Sequence, residues 1–293
     1  MTSLNLSVDD IPRLDGKTAI ITGGCSGIGW ESAQLLAAKG ATVYVLDIHP
    51  PPTQEHQGSE EEERKAIHYR PCDVTSWPTL RAVFDEVPQV DIAVANAGVS
   101  EECDYFADTW DAEGKLEEPR YAVVEVNYRA VLNFVKLSLS AFRRAGNKNG
   151  SLVLTTSATA YSPEHTCRIS TARPSTVAPA ATITNLLPAN LAAPIMAAGA
   201  PVSTAQHVAL AVAYSATASQ ENSVESYGND GPEQLGPGRW NGRVILTLGD
   251  KWTELEEPLA ERRSGWFGAW NTEKTAFQQK LTDMRFGGLK EGE

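Results

Sequence analysis

The chain has 293 residues, of which 42% are hydrophobic and 21% charged, and its formal net charge is −12 at pH 7. This length and composition predict one α/β domain over residues 1–293, with loop insertions near residues 50–65 and 220–239 and a tail from about residue 252. The acidity, with Lys and Arg scattered along the chain, argues against nucleic acid and anionic membranes as partners.

The first predicted unit is a strand, a glycine turn, a helix and a second strand, all within residues 17–50. Thr18–Thr22 is a β-branched run, typical of a strand buried on both faces of a parallel sheet. The helix after the turn ends near Gly40, and the second strand ends at Asp47. Such a unit is typical of nucleotide binding.

The chemistry of this unit depends on residues that lack side chains. Glycine permits a tight turn and lets a pyrophosphate approach the backbone, and the next helix points its N–H groups at the phosphates. Asp47 stands where a carboxylate accepts hydrogen bonds from a ribose, which favours NAD because a 2′-phosphate would be repelled. The candidate residues at the phosphates are Gly23, Ser26, Gly27, Ile28 and Gly29.

Further polar residues follow the next predicted elements. The strand Val90–Ala95 is followed by Asn96 and Gly98, where small residues let a cofactor lie close and the amide of Asn96 can hold a neighbouring strand. A helix over residues 120–142 places Asn127 on its apolar, inward face, where its amide must be hydrogen-bonded. A strand over residues 150–157 brings Ser157 to its carboxyl end, where ligands gather in open parallel sheets.

These residues, in this order, resemble the short-chain dehydrogenases/reductases, over about residues 17–157 and again over about residues 177–257. The resemblance implies a doubly wound parallel sheet, Rossmann-like, with three α/β/α layers. It also implies hydride transfer between NAD or NADP and a secondary alcohol or ketone. The motifs that carry it are residues 22–29, Asp73-Val74, Asn96-Ala97-Gly98, Asn127 and Ser157.

Individual roles come from the same resemblance. Asp73 and Val74 would contact the adenine, and Asn127 would kink its helix around a water and support a proton relay. A neighbouring carbonyl could satisfy Asn127 equally well. Ser157 would bind the substrate oxygen, and Thr184 would contact a phosphate or the carboxamide of the nicotinamide.

The pattern breaks after Ser157. The family's Tyr-x-x-x-Lys motif would fall at Ser170 and Pro174, and no lysine occurs between Lys148 and Lys251. Tyr161 is the candidate acid/base that remains, with His165 and Arg168 as further titratable neighbours. We expect a loop in this interval, with one crossover helix and most of the strand after it deleted.

Two accounts of this gap stay open. Either the gene model skipped coding sequence, or the chain is a divergent member that no longer makes the usual proton transfer. The second account allows a different function, a dinucleotide-binding pseudoenzyme or a scaffold for a non-redox reaction.

The remaining sequence predicts a substrate lid and a closing strand. The apolar, alanine- and proline-rich residues 186–202 resemble the family's lid and favour a hydrophobic small-molecule substrate, as in members that serve fungal secondary metabolism. Ser203 with Gln206 is a capping box, and residues 242–249 supply the last buried strand. Phe277, Leu281 and Met284 in the tail have the spacing of a docking face. The sequence leaves the oligomeric state open, and a homo-oligomer is one of the open alternatives.

The cysteines and the termini indicate the compartment. Cys25, Cys72, Cys103 and Cys167 form no C-x-x-C pair, so we expect reduced thiols, no metal site and a cytoplasmic protein. The amino terminus has no secretory signal pattern, and no apolar run approaches the length of roughly 18 residues that a membrane span needs.

Overall fold

The computed structural model describes residues 3–52, 66–100, 107–146, 150–158, 175–222, 224, 236–240 and 242–282. Tyr161, His165, Arg168, Ser170 and Pro174 lie outside the described residues, as do Cys103, Cys167 and most of both predicted loop insertions. Predictions at those positions stay predictions.

In the described part of the first half of the chain, strands and helices mostly alternate, which is the order typical of a parallel sheet with crossovers. A short 3-10 helix, Val8–Asp10, precedes the alternation. The elements are β1 (Ser3–Leu4), β2 (Thr18–Thr22), α1 (Gly27–Ala38), β3 (Thr42–Asp47), β4 (Ile67–Pro71), α2 (Trp77–Glu86) and β5 (Ile92–Ala95).

A long helix opens the second half. Ala122–Val124 is α-helical, Glu125–Ala130 is a π-helical turn, and α3 (Val131–Arg144) continues from it. The later elements are β6 (Ser151–Thr155), β7 (Ser175–Pro179), β8 (Thr182–Ile183), α4 (Ala189–Ala197), β9 (Ser203–Thr204), α5 (Ala205–Thr217), β10 (Ser219–Gln220), β11 (Gly238–Arg239), β12 (Val244–Leu248), β13 (Lys251–Glu254), α6 (Glu256–Glu261), α7 (Arg263–Trp266) and α8 (Ala269–Thr282).

The main sheet has nine strands in the order β1-β13-β12-β7-β6-β5-β2-β3-β4. The seven strands from β12 to β4 pair in parallel, and β13 and β1 add an antiparallel edge. The chain runs from β2 outward to β4 and then returns to β5 on the other side of β2. The crevice between β2 and β5 is therefore the switch point at which such sheets bind ligands.

Helices cover both faces of this sheet, which confirms the predicted three-layer α/β/α fold. On one face, α1 and α5 pack over fully buried residues such as Ile21, Val43 and Val177. On the other face, α2 and α3 pack over Ile20, Leu46 and their neighbours. Strands buried on both faces have continuous apolar runs, which is why the sequence identified them.

The structure corrects the prediction that most of a strand is lost after Ser157. β7 is complete and buried, and it pairs with β6 on one side and β12 on the other. It begins at Ser175, two residues before the point at which the family resemblance was predicted to resume. Its β-branched Thr176 and Val177 suit a central strand. The crossover between β6 and β7 runs mainly through residues 159–174, outside the described part, so the deleted helix stays a prediction.

One prediction in the C-terminal half was also wrong. The cap of α5 is Thr204, whose side chain accepts from the amide of His207 at 3.2 Å, because Ser203 is held in β9 through its bond to the carbonyl of Ala181. The prediction that residues 242–249 supply the last buried strand is confirmed by β12. The strand β13 that follows it is largely unburied and pairs with β1 from the start of the chain.

The described residues contain no helix that is long and apolar enough to cross a membrane. Within the same residues, no group of three or more His, Cys, Asp or Glu side chains is placed to hold a metal ion.

Candidate functional site

The turn after β2 is built so closely that only glycine fits. Gly23 has a φ of +61°, in the left-handed region that favours glycine. A Cβ added to Gly29 would lie 2.1 Å from the carbonyl oxygen of Gly23 and 2.6 Å from Nδ2 of Asn96. The start of α1 therefore rests directly on the turn and on the end of β5.

The amino terminus of α1 is open toward this turn. Ser26 is the N-cap residue, and its side chain makes no capping hydrogen bond. Gly27 has a φ of +49°, and a Cβ there would lie 3.0 Å from the methyl group of Thr184. Thr184 thus stands beside the helix terminus, as its predicted role requires, and the uncapped N–H groups suit a phosphate.

Asn96 ties three strand ends together. Its Nδ2 donates to the carbonyl of Gly23 at 3.2 Å, and its Oδ1 accepts from the hydroxyl of Thr155 at 3.1 Å. The hydroxyl of Thr22 accepts from the amides of Asn96 and Ala97, at 3.0 and 3.1 Å. The ends of β2, β5 and β6 are thereby fixed around one crevice. The sequence indicated Asn96 and included Thr22 in the motif of residues 22–29 without a role of its own. It did not indicate Thr155, since a threonine ending a strand has many ordinary explanations.

Asp47 is fixed at the end of β3. Its carboxylate accepts from the amide of Cys25 at 3.2 Å and from the amide of His49 at 3.1 Å. These bonds connect the end of β3 to the glycine turn, so the carboxylate is held in place before a ribose arrives.

The two described cysteines are poor nucleophiles. Burial, with a further contribution from the charge of Asp47, raises the pKa of Cys25 to about 12. Burial, with a contribution from Asp73, raises the pKa of Cys72 to about 11. Both thiols therefore stay protonated at neutral pH, as the sequence predicted.

The predicted adenine residues lie in the turn between β4 and α2. Asp73 accepts from both the amide and the hydroxyl of Thr75, at 2.9 and 2.7 Å, and Val74 is buried. Arg129, on the π-helical turn, donates to the carbonyl of Thr75 at 3.3 Å. The π-helical turn therefore reaches the predicted adenine end of the crevice.

Asn127 is not on a buried face, which corrects the sequence prediction. Its side chain is exposed, yet it donates to the carbonyl of Val99 and accepts from the amide of Val99, each at 2.9 Å. The reason is the π-helical turn, which has more residues per turn than an α-helix. It therefore changes which residues of this segment face the sheet. Gly98 lies alongside, since a Cβ there would be 3.6 Å from Oδ1 of Asn127.

Ser157 lies just past the end of β6 and is half-buried. β5 leads to Asn96, and β7 leads to Thr184. Because β6 lies between these two strands, Ser157 lies between the two residues in strand order. Tyr161, the remaining catalytic candidate, lies outside the described residues.

These residues fit a dinucleotide. Glycines that no larger residue could replace line the turn, an uncapped helix terminus points at it, and a fixed carboxylate stands at the adjoining strand end. The turn and the helix terminus lie at the switch point of the sheet, and Asp47 lies one strand away, at the end of β3. The arrangement presents backbone amides suited to phosphates and a carboxylate suited to a ribose.

Comparison with known proteins agrees with this geometry. A family model described as short chain dehydrogenase matches residues 17–170. The short-chain dehydrogenase/reductase prx4 of Penicillium roqueforti is 47% identical, over 97% of this chain and 90% of its own length. The short-chain dehydrogenase/reductase ATR7 of Stachybotrys chlorohalonatus is 40% identical, over 99% of this chain and 96% of its own length.

The fold matches solved structures as well. Carveol dehydrogenase from Mycobacterium avium, in complex with NAD, superimposes with a TM-score of 0.51 over 70% of this chain and 92% of its own, at 20% identity. The alignment with prx4 extends over 306 residues, more than the 293 of this chain, so it contains gaps on the side of this chain.

Proposed function

The chain belongs to the short-chain dehydrogenases/reductases, and from that membership we propose that it interconverts a secondary alcohol and a ketone on a hydrophobic small molecule. Members of this family are oxidoreductases that use NAD or NADP. The observation that carries the proposal is the Asn96 junction, which holds three strand ends around the crevice. The fungal relatives support a place in secondary metabolism.

Each part of the site has a task in this proposal. The bound nicotinamide supplies or accepts the hydride. Ser157 donates a hydrogen bond to the substrate oxygen, and Asn127 fixes Val99 at the wall of the crevice. Exposed leucines and a methionine on and before α4 support a hydrophobic substrate: Leu186, Leu191 and Met196.

The experiment is direct. The purified chain is mixed with NADH or NADPH and a panel of ketones, and the loss of reduced nicotinamide is followed. Calorimetry with each cofactor is run in parallel. Steady oxidation that depends on a ketone supports the proposal, and cofactor binding without any turnover contradicts it.

A second candidate is a dinucleotide-binding protein without turnover. The observation in its favour is the sequence at the motif positions, where Ser170 and Pro174 replace the tyrosine and lysine of the family. Without a nearby lysine, a tyrosine keeps a pKa near its ordinary value of about 10 and transfers protons poorly at neutral pH. The same experiment separates the two candidates.

We propose Tyr161 as the group that moves the proton, and its replacement tests that role. Tyr161→Phe should lower kcat about 100-fold, because a positioned acid/base contributes factors of this order. Cofactor affinity should not change, since the proposed role of this hydroxyl is proton transfer to the substrate oxygen and not cofactor binding. Steady-state kinetics and calorimetry on the same preparation check both statements. An unchanged kcat would exclude Tyr161, and His165→Gln would then be the next variant to measure.

NAD is the proposed cofactor, and Asp47 decides the preference. Asp47→Asn keeps an acceptor for the amide of Cys25 but removes the charge, so NADP should gain about tenfold in affinity relative to NAD. Asp47→Ala should weaken NAD more than NADP. Calorimetric titration of both variants with both oxidised cofactors measures the ratio. Equal losses for NAD and NADP would refute the assignment of Asp47.

A further inference from the structure

A short hairpin stands between β5 and the π-helical turn. Trp110 and Leu116 form an isolated antiparallel bridge, and the amide of Glu117 donates to the carbonyl of Thr109 at 2.8 Å. The side chain of Asp111 accepts from the amides of Glu113 and Lys115, at 3.0 and 2.8 Å. The hairpin therefore holds its own shape.

The hairpin exposes two large apolar side chains. Trp110 is 61% exposed and Leu116 is 63% exposed. Residues directly opposite each other in an antiparallel pair project from the same face, so the indole and the isobutyl group form one apolar surface. Such a surface in a rigid turn favours contact with another apolar group.

The hairpin belongs to the connection that leaves the crevice at the end of β5 and returns to it at the π-helical turn. Val99 precedes the hairpin and Asn127 follows it, and the two are joined by the pair of hydrogen bonds at 2.9 Å. These bonds join the two ends of the connection that carries the hairpin, beside Gly98. The hairpin follows β5, Ser157 follows β6, and Thr184 with α4 follows β7, so Ser157 lies between the hairpin and α4 in strand order.

The charge of the hairpin limits what can approach it. Acidic residues outnumber basic ones over residues 107–120, with Asp108, Asp111, Glu113, Glu117 and Glu118 against Lys115 and Arg120. These groups lie within a few residues of the apolar pair in sequence, so the hairpin that carries the pair has an excess of negative charge. A substrate that carries a carboxylate, a phosphate or a nucleotide handle would be repelled.

We infer that the Trp110–Leu116 hairpin is the second wall of the substrate cleft, opposite α4, and that it selects an uncharged, ring-bearing ketone or alcohol over an anionic one. The inference rests on the proposed function and adds the substrate class to it. Trp110 contacts the ring system of the substrate, and the acidic flank excludes anions.

Size selection is tested with two neutral ketones, 1-tetralone and the smaller cyclohexanone. Trp110→Ala and Leu116→Ala should each lower kcat/KM for 1-tetralone about tenfold, through KM, because a lost apolar contact in a pocket has an effect of this order. Cyclohexanone should be nearly unaffected, since it does not reach the wall. Trp270→Ala is the matched control, because this tryptophan is 69% exposed on α8. An equal loss for both ketones, or no loss, overturns the inference.

Charge selection is tested with the double variant Glu113→Lys/Glu117→Lys. It should raise kcat/KM for a carboxylated tetralone about tenfold at low salt and leave 1-tetralone unchanged. The gain should shrink as salt is added. No gain for the anionic ketone contradicts the role of the acidic flank.

Binding separates this inference from the proposed function. Calorimetry measures 1-tetralone against the protein saturated with oxidised cofactor. If the wild type binds 1-tetralone without turnover, and Trp110→Ala weakens that binding, the hairpin assignment is supported and the proposed activity is refuted. Turnover of other ketones with no binding of 1-tetralone removes the hairpin assignment and keeps the activity.

Discussion

Replacing Gly29 by alanine is expected to abolish binding of both nicotinamide cofactors. The new Cβ would lie 2.1 Å from the carbonyl oxygen of Gly23 and 2.9 Å from its carbonyl carbon, distances that real Cβ atoms do not reach. Either α1 moves away from the turn or the Gly23 peptide rotates. Either change disrupts the arrangement of turn and helix terminus that is proposed to hold the phosphates.

The loss should be at least about 100-fold in Kd for NAD and NADP alike. Hydrogen bonds to charged groups contribute about 1.5–3 kcal/mol each, and more than one amide of this terminus is involved. Titration calorimetry with each cofactor measures the loss. Because the clash is with backbone, flexible side chains cannot absorb it.

The matched control is Gly265→Ala, in α7. A Cβ there meets no atom within 4 Å, and this glycine is not among those with a positive φ. Its cofactor affinity should equal that of the wild type. Thermal unfolding of both variants reports on the fold separately. Full binding by a well-folded Gly29→Ala protein would contradict the position assigned to the phosphates.

The sequence predicted the strands and the helix around the glycine turn well because their signals are local. The β-branched strand, the glycines, the helix and Asp47 follow one another within residues 17–50, and each has a backbone requirement that shows in residue type. The same holds for Asn96, which directly follows a buried strand. Local chemistry was sufficient because the sheet order brings these strand ends to one crevice.

Asn127 shows where local periodicity fails. A period of 3.6 residues placed it among Val123, Val131 and Phe134, and Phe134 is indeed buried. The π-helical turn has a wider winding, so the phase before Val131 differs from that after it. The residue types in this turn carry no signal for that change.

Long-range pairing was likewise beyond the sequence. Ser3 pairs with Thr253, and Leu4 pairs with Trp252, so the first strand of the chain and one from its C-terminal part meet at the edge of the sheet. Strands this short have no periodicity of their own. Their pairing depends on β13 already lying beside β12, which only the assembled sheet shows.

The burial of Arg243 could not be predicted from the sequence either. This residue begins a segment with the pattern of an ordinary strand, and its partners come from other elements. Its Nε donates to the side chain of Gln220 at 2.7 Å, and its guanidinium forms ion pairs with Glu254 at 3.7 Å and Glu257 at 2.9 Å. It also lies over the ring of Trp240, 5.0 Å from the centroid. One buried cation thus joins β10, β12, β13 and α6.

Arg243→Met is therefore expected to lower the free energy of unfolding by about 3 kcal/mol at neutral pH, because it leaves a buried carboxylate without its cation. The side chain of Glu254 is only 3% exposed. Urea unfolding of variant and wild type measures the difference. Arg81→Met is the control, since Arg81 and Asp85 are 58% and 57% exposed, and it should change stability by less than about 1 kcal/mol.

The destabilisation of Arg243→Met should also depend on pH. Burial raises the pKa of Glu254, and the attraction of Arg243 opposes that rise, so removing the arginine raises the pKa further. A carboxyl with a raised folded-state pKa favours the fold when protonated, and that contribution is lost as pH increases through the folded pKa. The loss of stability should therefore be smaller near pH 5 than at pH 7. Adding Glu254→Gln to Arg243→Met should restore most of the stability at neutral pH, and a double variant no more stable than the single one would show that the carboxylate is not the cause.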